Sequence, residues 1–169
     1  MKGVLPVLLI SAFAAILALP VFAGSEEGLQ VRVSTPLVSI SLSHDAVNFG
    51  TLNLDEEKEA SVFPVITNNG SVKVDLDMKG TDAAHGNDVW LLSGEENGDD
   101  QYMLMVSKDS DWDTEVLNLT TDYQEFYANP PLDPGSGQAF HIKILMPITT
   151  SAYGEYTANI YVRATQSGT

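Results

Sequence analysis

The chain has no cysteine among its 169 residues. That absence removes disulfides, zinc–thiolate sites, iron–sulfur clusters and thiol catalysis together. Positive charge is scarce as well: 8 lysines and arginines stand against 23 aspartates and glutamates, a formal net charge of −15. A surface of that sign repels phosphate backbones, so nucleic-acid binding is not expected. Histidine is limited to His44, His85 and His141, none of them inside a catalytic motif. All three read as ordinary surface residues, and in so acidic a chain any pair of carboxylates chosen for hydrolysis is arbitrary. The expectation is that the protein is not an enzyme. Helical periodicity is missing too: beyond residue 28 no stretch long enough for a helix repeats its apolar residues at three- and four-residue spacing.

What the chain does have begins with Met1-Lys2-Gly3, an apolar run over Val4–Leu19, and then Pro20-Val21-Phe22-Ala23-Gly24. A basic start, an apolar middle, a helix-stopping proline and small or aliphatic residues at Val21 and Ala23 read as a signal peptide spanning residues 1–23. A membrane anchor is the plainer alternative, but it needs about 20 uninterrupted apolar residues, and Pro6 and Pro20 both break the run. Lys2-Gly3 before an apolar run also fits pilin-like processing, in which the run is kept as an assembly helix. Both prolines and the lack of a glutamate within Val4–Leu9 speak against that scheme. Cleavage after Ala23 removes Lys2 and leaves 7 basic against 23 acidic residues over 24–169, a formal −16. The product is then secreted or held at the cell surface, with no membrane segment after cleavage. Its length suffices for one domain that needs no covalent staple.

Residues of alternating character dominate this mature part. Leu29, Val31 and Val33 alternate with polar neighbours, and after Pro36 so do Val38, Ile40 and Leu42. A further strand is expected at 46–52, followed by a solvated turn at Asp55-Glu56-Glu57-Lys58-Glu59. Residues 60–67 and 71–79 read as a hairpin with Asn69-Gly70 at its tip, because a type I′ turn needs positive φ at both central positions. In its second arm Val72, Val74, Leu76 and Met78 face one way and Lys73, Asp75, Asp77 and Lys79 the other. A polar connection at 80–88 precedes Val89-Trp90-Leu91-Leu92, then come strands at 102–106 and 116–119. The segment 129–135 holds three prolines and cannot be a central strand. Phe140, Ile142, Ile144 and Met146 form one regular strand and Tyr156, Ala158, Ile160 and Val162 another, joined closely enough to be antiparallel neighbours. The sum is an all-β chain: a single immunoglobulin-like antiparallel β-sandwich of about nine or ten strands.

Three segments, Val47-Asn48-Phe49-Gly50-Thr51-Leu52, Thr67-Asn68-Asn69-Gly70-Ser71-Val72-Lys73-Val74 and Gly154-Glu155-Tyr156-Thr157-Ala158-Asn159-Ile160, resemble the opening, middle and closing strands of secreted prokaryotic Ig-like surface proteins. These include biofilm-fibre subunits of the TasA and camelysin type and archaeal bundling-pilus or thread subunits. The chain is shorter than TasA and has no helical insertions. The resemblance implies a homo-polymer built by donor-strand exchange, in which residues 24–34, with Leu29, Val31 and Val33 as the apolar row, complete the sheet of a neighbour. The same segment reads equally as the first strand of its own sandwich. A carbohydrate- or protein-binding adhesive module, and an accessory subunit of an envelope complex, are the other functional readings. Their partners would be glycans or other surface proteins.

Local patterns add a few candidate sites. Asp109, Asp111, Asp113 and Glu115 offer oxygen ligands at alternate positions, the arrangement a loop needs to curl round calcium. The loop lacks the EF-hand glycine at position 6 (Thr114) and glutamate at position 12 (Thr120), and a merely solvated acidic loop is the plainer reading. Apart from calcium no cofactor is expected. Asn69-Gly70-Ser71 and Asn118-Leu119-Thr120 are acceptor triplets for N-linked glycans. Trp90 reads as core, while Trp112, Tyr123, Phe126 and Tyr127 lie in or beside irregular segments and offer either core or loop packing or an aromatic platform for sugars. The signal-peptide reading predicts that the exported protein begins at Gly24. Mass spectrometry of secreted material checks this, and an N-terminus at Val4 would select the pilin-like scheme instead.

Overall fold

The computed structural model describes residues 32–168. Leu29, Val31 and the leader at 1–23 lie outside the described residues, and residues 32–34 carry no strand. In chain order the strands are β1 (Ile40–Leu42), β2 (Glu57–Glu59), β3 (Val65–Asn68), β4 (Val74–Gly80), β5 (Ala83–His85) and β6 (Asp88–Leu92). There follow β7 (Gln101–Ser107), β8 (Val116–Asn118), β9 (Gln124–Leu132), β10 (Gly137–Ala139), β11 (His141–Leu145) and β12 (Ile160–Gln166). The described chain is all-β, with no helix and 12 strands in three sheets, consistent with a β-sandwich.

The largest sheet runs β2-β11-β7-β6-β5, with β8 also on β7; a second runs β12-β4-β9, and a third β1-β3-β10. All pairings are antiparallel except β6 with β7. The alternation in β4 explains its place. Val74, Leu76 and Met78 are all fully buried, while Asp75, Asp77 and Lys79 face outward and remain partly exposed. These inner residues join Leu104 and Val106 of β7, Ile142 of β11 and Phe126 of β9 in one apolar cluster. Phe126 meets Phe140 edge-on at a centroid distance of 6.0 Å, filling the space with the offset geometry that ring quadrupoles favour.

The expected hairpin at Asn69-Gly70 does not form. β3 pairs with β1 and β10, whereas β4 pairs with β12 and β9, so the chain changes sheets between them. Asn68 directs the crossing. Its side chain is fully buried; Nδ2 donates to Val72 O at 2.8 Å and Leu132 O at 2.9 Å, and Oδ1 accepts from Gly70 N at 2.9 Å. Gly70 does not take the positive φ of a type I′ turn. Its glycine is needed for a different reason: a Cβ there would collide with Leu37 O, because residues 37–39 extend the β1 pairing with hydrogen bonds from Asn69 N to Ser39 O and Ser71 N to Leu37 O.

The two regular C-terminal strands are not neighbours either. β11 pairs with β2 and β7, and β12 with β4. Their connection is held successively by two loops and by β5, through Asp55 N to Pro147 O, Ile148 N to Gly98 O and the reciprocal bonds of Ala84 and Thr157. Tyr156 accordingly lies outside β12, stacked on Trp90.

Smaller corrections follow the same logic. Part of the expected turn at 55–59 is strand β2, whose Glu57 and Glu59 bind Lys143 and His141 of β11 at 2.8 Å each. A short charged strand at a sheet border is disfavoured for pairing with another chain. The connection 80–88 contains β5, and Tyr127 and Phe126 sit in β9 rather than in irregular chain. Residues 46–52 form no strand, although Val47 and Phe49 pack against the core. β9 does continue through Pro130 and Pro131, but as an outer strand, where a missing N–H leaves no ladder partner unpaired.

Asn68→Ala leaves Val72 O and Leu132 O without their buried donor. The expected loss is about 3 kcal/mol in urea unfolding, whereas Asn69→Ala, on the exposed neighbour, should change stability by less than about 0.5 kcal/mol.

Candidate functional site

The most distinctive surface of the fold lies on β12. Ile160, Val162 and Ala164 point to the same side as the fully buried row of β4, with Val162 opposite Met78 and Ala164 opposite Leu76. Yet all three are only half-buried while their β4 neighbours are fully covered. Among the described residues β12 is an outer strand of its sheet. An outer strand whose apolar row is incompletely covered has the chemistry of a strand-acceptor groove: backbone groups for hydrogen bonds and spaced apolar sites for alternate side chains. Of the residues expected from the sequence to form a donor strand, Val33 is 90% exposed.

The acidic loop is organised by its own backbone. Asp109 Oδ1 accepts from Asp111 N at 2.9 Å, Asp111 Oδ1 from Asp113 N at 3.0 Å, and Asp111 Oδ2 from the Thr114 hydroxyl at 3.0 Å. Glu115 pairs with Lys108 at 3.3 Å. The Asp109 and Asp111 carboxylates therefore serve the next turn of chain. Among the described residues no three acidic or histidine side chains converge as a metal site.

The glycan-acceptor asparagines differ. Asn69 is exposed, with its amide on Ser41 Oγ at 2.8 Å; Asn118 is half-buried within β8 and donates to Gly94 O at 3.0 Å. The aromatic residues form no single platform. Phe126 is core, Tyr127 lies near the Lys108 ammonium, and Trp112 sits beneath Lys143 at 4.4 Å and edge-on to His141. Tyr123 belongs to a row across the outer face of the second sheet. There the Lys79 ammonium lies 4.9 Å from the Tyr123 ring and 5.7 Å from the Tyr161 ring, and the Arg163 guanidinium, bound to Asp77, covers Tyr123 at 4.3 Å.

His44 contacts Ser43 Oγ, His85 contacts Glu155 O, and His141 pairs with Glu59 beneath Phe63. Sequence reasoning missed the half-covered row of β12, since its alternating residues do not reveal how far each face is covered. It also missed a cleft beside Trp90, whose lining is drawn from distant segments. No protein-family model and no curated protein matches this chain.

With Asp109 and Asp111 bound within the loop and Glu115 paired with Lys108, the melting temperature of the wild-type protein should be unchanged by millimolar calcium. A calcium-dependent rise that the triple change of Asp109, Asp111 and Asp113 to Asn removes would show instead that the loop closes on a cation.

Proposed function

We propose that this chain is an exported structural subunit that polymerises into filaments or surface matrix by β-strand exchange on an immunoglobulin-like sandwich. The observation that carries the reading is the half-covered row of Ile160, Val162 and Ala164 beside the fully buried row of β4. Leu29, Val31 and Val33 repeat with the same two-residue period. Alternate residues of any strand lie about 7 Å apart, so a donated segment matches the acceptor row site for site. Each subunit would donate residues 24–34 to one neighbour and accept from another. Such a head-to-tail contact does not close on itself and yields a fibre. The acidic surface keeps the unassembled subunit soluble.

The alternative is a secreted binding or adhesive module, and the cleft beside Trp90 favours it. Deleting residues 24–34 from the mature protein separates the two. Under strand exchange the deletion abolishes filaments seen by electron microscopy and leaves a folded domain that captures an added peptide of residues 24–34. A full-length mature protein that stays monomeric at high concentration, with a deletion variant that only unfolds, assigns the segment to its own sheet and overturns the proposal.

A further inference from the structure

Asn69-Gly70 and Asn97-Gly98 are the Asn-Gly pairs of the chain. Such a pair carries its own reagents. With no side chain on the second residue, the glycine nitrogen can reach the asparagine Cγ. A C–N bond forms, ammonia leaves, and water opens the resulting succinimide to aspartate or isoaspartate. The attack needs two groups free: the glycine N–H, which gives up its proton, and the asparagine carboxamide, which must rotate onto it.

The fold engages both groups at both pairs. Gly70 N donates to Asn68 Oδ1 at 2.9 Å, and Asn69 Nδ2 donates to Ser41 Oγ at 2.8 Å. Gly98 N donates to Gln101 O at 3.1 Å, while Asn97 Nδ2 donates to Asp55 Oδ1 at 2.9 Å and Met146 O at 2.7 Å. The two locks differ in what holds them. Asn97 is half-buried and its amide is anchored twice. Asn69 is exposed, and its amide partner stands on β1, a three-residue outer strand paired with β3 alone among the described strands. Asn69 N to Ser39 O and Ser71 N to Leu37 O tie the turn to the same segment. That segment is lightly held: Leu37, Val38 and Leu42 are all exposed, so little apolar burial opposes its local opening. When residues 37–42 lift, Leu37 O, Ser39 O and Ser41 Oγ depart together, and the Asn69 carboxamide loses its partner.

We propose that Asn69 is a self-modification site gated by β1. It is inert while residues 37–42 are seated, and it converts to aspartate and isoaspartate, with water as the only reagent, when they lift. Isoaspartate routes the main chain through Cβ and lengthens the turn by one atom. The bonds from residues 69 and 71 to Ser39 O and Leu37 O depend on the spacing that this changes. A strand that has lifted then no longer reseats as before, so the modification makes a transient opening permanent. The site rests on the turn and β1 alone and stands independently of strand exchange.

The test incubates the mature full-length protein in mildly alkaline buffer and quantifies aspartate and isoaspartate at positions 69 and 97 by peptide mapping, beside a capped peptide of residues 66–73. Asn69 should convert about tenfold more slowly in the protein than in the peptide, the protection a seated β1 provides. Asn97, anchored twice, should convert more slowly still. Ser41→Ala, at an exposed position, should speed Asn69 about threefold and leave Asn97 unchanged. Ser39→Ala, whose side chain makes no hydrogen bond to Asn69, should alter neither. The converted protein, separated by its added charge, should exchange the amide hydrogens of residues 37–42 faster than the unconverted protein. Equal rates at Asn69 in protein and peptide, conversion of Asn97 ahead of Asn69, or unchanged exchange in the converted fraction each overturns the proposal. So does a Ser41→Ala variant that leaves Asn69 unaffected, or one that speeds both sites alike and so reports global opening.

Discussion

Everything in this fold is arranged around the burial of one strand face. Val74, Leu76 and Met78 lose all contact with water, and strands must lie on both sides of β4 and across from it for that to happen. Burying three such side chains contributes on the order of 5 to 9 kcal/mol before entropy is charged against it. The outward residues of the same strand are free to carry charge, and they do: Asp77 engages Arg163 and Lys79 lies among tyrosines. One two-residue period thus provides both the hydrophobic centre and the polar outer face.

The buried amide of Asn68 solves the problem this creates at the strand's entrance. A chain that passes from one sheet to another must leave backbone carbonyls away from any ladder, and buried carbonyls without donors are destabilising. Asn68 supplies two donors and one acceptor at the crossing and ties the end of β3 to the end of β9. Gly70 then permits residues 37–39 to lie directly over the turn. Local chemistry that reads as a hairpin tip instead serves a change of sheet.

That distinction marks the limit of what was legible in the residues. Period-two alternation identified β4 and β11 as strands, because each presents one face to the core, while β7 and β8 were legible only as short apolar segments. It was silent on partners: the same alternation is satisfied whether β4 pairs with β3 or β12, and a short connection after β11 implied a neighbour that the captured Pro147 and Thr157 deny. β5, reading Ala-Ala-His, lacks the branched residues that announce a strand, and the prolines of β9 concealed the strand that carries Phe126. The candidate sites were legible only where they were contiguous. The acidic loop could be named in advance, whereas the cleft joins residues 52, 90 and 153, which meet only after folding.

The pairing of β12 with β4 carries a consequence for how the molecule comes into being. Ile160 sits opposite Gly80 and Gln166 opposite Val74, so the strand on which the core centres waits for residues synthesised long after it. Its other neighbour, β9, is also downstream. Folds dominated by such distant pairings form slowly, since the intervening chain must be closed into a loop before any contact rewards it. A chain that emerges N-terminus first therefore cannot complete its core until its last strand is free. Synthesis of the chain and completion of its core become sequential events, with β12 as the timer.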